Sequence, residues 1–295
     1  GVLKALEENN IPIDYITGTS IGALVGALYA SGKTPSEIEA LFISDDFIKW
    51  SNGVTLEKYT FFYKEEEPSA EVVNVDFNLD TLFEANLPIS FVSSVPIDFG
   101  LMQLFAAPSA AANYNFDSLM IPFRCIAADI TNGAEYPFYS GNLSTAVRAS
   151  MAYPFYLSPI KHNGRLLFDG GLYNNFPSDI MYHDFMPDFI IGSNVSRKDP
   201  TPMEDNLVSQ IKSMLSKESN YTIECADGII IKPEIEEITL LDFDQNYKAI
   251  QEGYKSALAS IDSIKLKIKD FRKLEDLDTK RKAFLNKNKA LKFRN

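Results

Sequence analysis

Gly18-Thr19-Ser20-Ile21-Gly22 sets a G-x-S-x-G spacing between a short apolar run, Ile13-Asp14-Tyr15-Ile16-Thr17, and a helical pattern from Ile21 to Ser31. A serine on a sharp strand-to-helix turn holds its hydroxyl clear of the sheet, where it can act as a nucleophile. Gly18 and Gly22 would let the backbone turn that tightly. The helix that follows aims free N–H groups and its positive dipole end at the same place. An oxyanion formed on an attacked ester would be stabilised there. The competing reading of Ser20 is an ordinary helix N-cap beside loop glycines. Gly22 and Gly26 stand one turn apart within the helix, where each costs about 1 kcal/mol relative to alanine. A close approach of helix to sheet would account for tolerating them.

Phe168-Asp169-Gly170-Gly171 follows a strand pattern, Arg165 to Phe168, and fixes a carboxylate on a tight turn. Alone it is a common Asp-Gly turn. Together with Ser20 it makes the chain resemble the patatin-like phospholipase family, which pairs a G-x-S-x-G serine with the aspartate of a D-G-G/A motif. Three further stretches are similar to the family's blocks: Cys125 to Ile130, a central strand ending in Asp129; Ala146 to Phe155, a helix with a Ser-x-x-x-Pro turn; and Asn174-Asn175-Phe176-Pro177. The resemblance runs in order from about residue 1 to 195.

The resemblance implies an α/β fold with a central, mostly parallel sheet and helices on both faces. It implies a Ser-Asp dyad with Ser20 as nucleophile and Asp169 as general base. The motif turns would be Gly18, Gly22, Gly170 and Gly171. A serine hydroxyl is a weak nucleophile until a base takes its proton. A carboxylate is a weaker base than imidazole, so a partly desolvated pocket is expected around Asp169. The implied function is hydrolysis of phospholipid or other lipid esters through an acyl-serine intermediate, at a membrane surface and with no metal or organic cofactor. Only two histidines occur, His162 and His183. The order Ser20, Asp169, His183 would suit a triad. Yet His162 sits in a Lys-His-Asn-Gly turn and His183 on the polar side of a helical pattern, so surface positions are favoured.

The family's glycine-rich loop, G-G-G-x-K/R-G, follows its first strand and supplies the oxyanion hole. Here Gly1 to Glu7 already looks like the first helix. The chain is therefore expected to lack an N-terminal part, to turn over slowly, and to leave one edge of the elbow strand unpaired. A non-catalytic lipid-binding or interaction module on the same fold is the alternative. The Lys-rich tail is similar to the junction that, in bacterial, outer-membrane-secreted members, leads to a β-barrel. That would place the protein at the outer membrane or cell surface, and otherwise in the cytoplasm.

The formal net charge of -12 argues against nucleic-acid binding. It is uneven: residues 261–295 carry about +7 and the rest about -19. No apolar run of about 18 residues lacks breakers, so no membrane-spanning helix is indicated. Cys125 and Cys225 have no metal-type spacing, and Cys125 falls in a strand pattern.

Strand and helix patterns alternate over residues 1–50 and again over 121–195, which suits a sheet covered on both faces. Thr34-Pro35-Ser36-Glu37 reads as a helix start. A helix over residues 203–217, a strand Gly228 to Pro233 and a long helix Asn246 to Lys269 follow. Residues 51–117 interrupt the alternation, with a half-buried strand pattern at Glu71 to Leu79. Leu87 to Ala112 is apolar and broken by Pro88, Pro96 and Pro108. It is either core or a lid and acyl pocket built from Phe91, Phe99, Leu101, Met102 and Phe105. The expected division is an α/β domain over 1–262, with this insertion, and a basic helical tail or linker over 263–295.

Overall fold

Strand and helix alternate from the start of the computed structural model: α1 Val2–Glu8, β1 Ile16–Thr19, α2 Ile21–Ala30, α3 Pro35–Phe42 and α4 Asp45–Ser51. Then come α5 Val95–Ala111, β2 Phe123–Asp129, β3 Ala134–Phe138, α6 Leu143–Ser150, β4 Ile160–His162 and β5 Arg165–Asp169. The last are α7 Ser178–Phe185, β6 Phe189–Ser193, β7 Asp227–Ile231, α8 Asn246–Lys267 and α9 Leu274–Lys287. The structure describes residues 1–56, 90–196, 213, 219–223, 227–235, 237–239 and 242–287. The strand pattern at Glu71 to Leu79, nearly all of the helical pattern at 203–217, Leu87, Pro88 and Cys225 lie outside the described residues.

The fold is α/β, with a central sheet flanked by helices. β2 is buried at all seven positions and pairs with β1, β3 and β5. Its apolar run suits a strand covered on both faces. Strand directions are mixed. β1 is parallel to β2 and β6 is parallel to β7, while β3 and β5 run antiparallel to β2, and β4 to β5. Two tight turns account for antiparallel pairs the sequence reading left out. Gly133, at φ 66°, closes the turn from β2 to β3. Asn163 at φ 49° and Gly164 at φ 76° close that from β4 to β5. An Asn-Gly pair favours such hairpins because both residues tolerate positive φ.

α2 lies close on the sheet at Gly26, where a Cβ would stand 2.8 Å from Ile16 Cγ2 and 3.1 Å from Phe123 Cε2. Gly22 differs from expectation: a Cβ there would meet nothing within 4 Å, so packing does not account for it. α3 starts as expected. Thr34 Oγ1 accepts from the Glu37 N–H at 3.1 Å and Glu37 Oε2 accepts from the Thr34 N–H at 2.8 Å.

The segment from 263 is not simply a solvated tail. Leu277 and Phe284 of α9 join the main core. Between them Arg281 is buried, paired with Glu7 of α1 at 2.5 Å and with Asp278 at 2.7 Å, and lies over the Tyr29 ring. Burial and the Glu7 carboxylate push the Tyr29 phenol above its ordinary range. A second cluster joins α1, α8 and β7 through Ala5, Leu6, Ile231, Ala257 and Ile261.

Candidate functional site

The site sits where two strands meet end to end. Cys125 and Ile126 of β2 pair with both β1 and β3, and Ala127 to Asp129 pair with both β3 and β5. A strand has only two edges, so β1 and β5 share one edge of β2 and β3 takes the other. β1 runs parallel to β2 and stops at Thr19, opposite Ile126. β5 runs antiparallel and stops at Asp169, opposite Ala127. Thr19 and Asp169 thereby occupy adjacent register positions of one strand, and Ser20, which follows Thr19, comes to Asp169 from 149 positions away.

Glycines make that seam tight. A Cβ on Gly170 would stand 2.2 Å from the Ile126 carbonyl oxygen and 2.8 Å from Thr19 Cγ2. A Cβ on Gly18 would stand 2.5 Å from the Gly22 carbonyl oxygen, so the elbow can turn only with glycine there. At Gly171 the tightest contacts are milder, 3.0 Å to Asn175 Oδ1 and to Asp169 Oδ1.

Ser20 takes φ 53° and ψ -124°. For a residue with a Cβ this is strained backbone, costing about 1–3 kcal/mol, and it persists only where surrounding contacts impose it. The Ser20 side chain makes no capping bond to α2. Its Oγ donates instead to Asp169 Oδ2 at 2.5 Å. This geometry disfavours the simple N-cap reading. Asp169 is 4 % exposed. Its Oδ1 accepts from the Gly171 N–H at 2.7 Å, and its own N–H donates to the Ala152 carbonyl at 3.0 Å. One carboxylate oxygen is therefore held by the turn while the other faces Ser20.

The seam opens on a cleft of about 1910 Å³. It extends along β1 and β6 and is walled by Ile16, Val25, Phe42, Met181, Phe185 and Ile250, among others. The β1 edge turned away from β2 faces this cleft, and β1 ends the strand order among the described residues. Among the described residues of the insertion, none walls it. None of Phe91, Phe99, Leu101, Met102 and Phe105 lines the cleft. Leu101 and Phe105 belong to the core, where α5 packs on α4 and α6. Gly100 admits the Trp50 indole so closely that a Cβ would stand 2.6 Å from Trp50 Cε3. Phe91 and Met102 are exposed, and the Phe91 ring stacks on Phe155 at 6.3 Å. Neither histidine lines the cleft. His183 is exposed on α7, and His162 packs against Tyr136 and Phe138. The residue that the motif reading passed over is Ser150, whose Oγ accepts from the Ser20 N–H at 2.9 Å. Its signal was its place in the Ser-x-x-x-Pro turn.

Residues 1–182 match the family profile described as Patatin-like phospholipase. The chain belongs to the patatin-like phospholipase family. A patatin-like phospholipase domain-containing protein of Caenorhabditis elegans is 31% identical over 188 residues, 61% of this chain and 11% of that protein. Neuropathy target esterase sws of Drosophila melanogaster is 28% identical over 205 residues, 69% of this chain and 12% of its own length. An NTE family protein of Mycobacterium bovis is 27% identical over 177 residues, 60% of this chain and 39% of that one. Among solved structures, VipD from Legionella pneumophila is similar at a TM-score of 0.41 and 12% identity, covering 89% of this chain and 64% of that one. The chain spans only about a tenth of the length of the Caenorhabditis and Drosophila relatives.

Proposed function

We propose that the protein is a serine lipid acyl hydrolase of phospholipase A or esterase type, working through a Ser20–Asp169 dyad. The observation that carries this reading is the 2.5 Å bond from Ser20 Oγ to Asp169 Oδ2, made from a strained elbow that opens on an apolar-walled cleft. The name of the Drosophila relative, an esterase, agrees with it.

In the forward step Asp169 Oδ2 takes the Ser20 hydroxyl proton as Oγ bonds to the ester carbonyl carbon. The carbonyl oxygen becomes an oxyanion. The Ile21 and Gly22 N–H groups open α2 and so have no partner within the helix. They would donate to that oxyanion with the helix dipole behind them. Collapse breaks the bond to the alcohol, which leaves with the proton from Asp169. Water then attacks the acyl-Ser20 ester, giving its proton to Asp169. The second collapse releases the fatty acid and returns the proton to Ser20 Oγ. The acyl chain would lie in the cleft, and a membrane or lipid droplet surface would supply the substrate.

The test is fatty-acid release from phosphatidylcholine vesicles and from a soluble p-nitrophenyl ester by the full-length protein. Ser20→Ala and Asp169→Asn each abolish release while leaving the melting temperature near that of the parent. Parent-level release by Ser20→Ala would overturn the mechanism. Vesicle binding retained by a parent without turnover would favour the binding-module reading.

A further inference from the structure

The Ser150 hydroxyl is 0 % exposed and bridges the elbow and β2. It accepts the Ser20 N–H at 2.9 Å and donates to the Ile126 carbonyl at 2.5 Å. Ile126 is the β2 residue opposite Thr19, and its carbonyl is the atom that a Cβ on Gly170 would strike. Because the hydroxyl proton is committed to Ile126, a lone pair of the same oxygen is left for Ser20. Ser20 follows the end of β1 with φ 53°, and Ser150 is the side-chain acceptor that meets its N–H.

Two residues further on, the Ala152 carbonyl accepts the Asp169 N–H at 3.0 Å. One short stretch at the end of α6 thus holds the main chains of both dyad residues. α6 is itself a rigid mount, with Leu143, Ala146, Val147 and Ala149 buried in the core.

We infer that Ser150 is a positioning residue for the hydrolysis: its hydroxyl locks the strained Ser20 backbone to β2 and so sets the Ser20–Asp169 distance. This rests on the dyad reading above. Ser150 touches no reacting atom. Its effect is therefore on the poise of the nucleophile and not on substrate binding. Without it, the Ser20 N–H loses its acceptor and the elbow is free to relax from φ 53°, swinging Oγ away from Asp169. A misplacement of about 1 Å in a reacting group costs up to about 100-fold in rate.

The experiment compares Ser150→Ala, Ser150→Cys and Ser150→Thr in the full-length protein. Three quantities are read: kcat and KM on a soluble p-nitrophenyl ester, the rate of Ser20 labelling by a fluorophosphonate, and the melting temperature. Ser150→Ala lowers kcat and the labelling rate together by about 10- to 100-fold, with KM within about threefold of the parent. Ser150→Cys, which keeps the volume but is a poor acceptor, behaves the same way and takes the place of the alanine variant if that one does not fold. Ser150→Thr, which keeps the hydroxyl, recovers kcat to within about threefold. A folded alanine or cysteine variant with kcat within about threefold of the parent overturns the inference, as does a folded threonine variant no faster than alanine. Ser20→Ala serves as the reference. If it still turns over, the dyad reading has failed; if it is dead and Ser150→Ala is fast, only the positioning role has failed.

Discussion

Gly170→Ala tests the seam directly. The added methyl would stand 2.2 Å from the Ile126 carbonyl oxygen, 2.8 Å from its carbonyl carbon and 2.8 Å from Thr19 Cγ2. Two of these are backbone atoms of the central, fully buried strand, which cannot rotate away. To reach even 3.0 Å the methyl and the oxygen must separate by about 0.8 Å, so β5 has to withdraw from β2 at Asp169. Ser20 Oγ and Asp169 Oδ2 begin at 2.5 Å, so that withdrawal puts them at or beyond the limit of a hydrogen bond. Overpacking of this kind costs about 1–3 kcal/mol of stability. The accompanying loss in kcat should approach 100-fold, from a displacement of about 1 Å. The assay is kcat on a soluble ester below the melting transition, with urea unfolding in parallel. Gly22→Ala is the stability control. Its methyl meets nothing within 4 Å, and it should gain up to about 1 kcal/mol from helix propensity. A Gly170→Ala protein with parental kcat and stability would refute the argument that the seam is closed by steric contact.

Phe105→Ala should cost about 3–5 kcal/mol of stability and leave acyl-chain preference unchanged, because the ring is core and does not line the cleft. A shift in chain-length preference would return the insertion to the site. Arg281→Ala removes the buried partner of Glu7 and should destabilise by about 3–5 kcal/mol in urea unfolding. A loss of only a few tenths would mean that α9 is not held by this pair. Burial pushes the Cys125 thiol from 9.0 up to about 12. The unfolded thiol ionises first, so its contribution to stability is full below pH 9.0 and declines up to about pH 12. Relative to the parent, Cys125→Ala should lose less stability across that window, by about 1.4 kcal/mol per pH unit, and parallel profiles would contradict it. The β1 edge, which no described strand pairs with opposite β2, should make the 295-residue chain self-associate in light scattering behind size exclusion. A monodisperse monomer at high concentration would show that the edge is protected.

The elbow was legible because its requirement is local. Gly18 must be glycine for reasons contained within a few residues, and the strand and helix patterns on either side are short-range signals. Asp169 was legible only beside Ser20, since a lone Asp-Gly turn has many other uses. The seam was not legible. It depends on which edge of β2 each strand takes and in what register, and no spacing in the chain encodes that. Gly22 misled for the opposite reason: a glycine in a helix invites a packing account, and here there is open space. Leu87 to Ala112 could not be divided between core and lid by composition, because both call for apolar residues. The contact that puts Gly100 of α5 against the core, with Trp50, joins positions fifty apart. In the tail, Leu277, Arg281 and Phe284 mark one helix face at i, i+4 and i+7, but lysines around them hid the stripe. The Asn-Gly pairs before β3 and β5 are hairpin signals, and the expectation of a mostly parallel sheet did not take them into account.

The most direct test of the central claim is covalent. The full-length protein is treated with a fluorophosphonate, digested, and the adduct located by mass spectrometry, with the labelling rate followed in the parent and in Asp169→Asn. The account predicts a single adduct on the peptide containing Ser20, formed about 100-fold or more slowly when Asp169 no longer accepts the proton. An adduct on another serine, or equal rates in the two proteins, would contradict it.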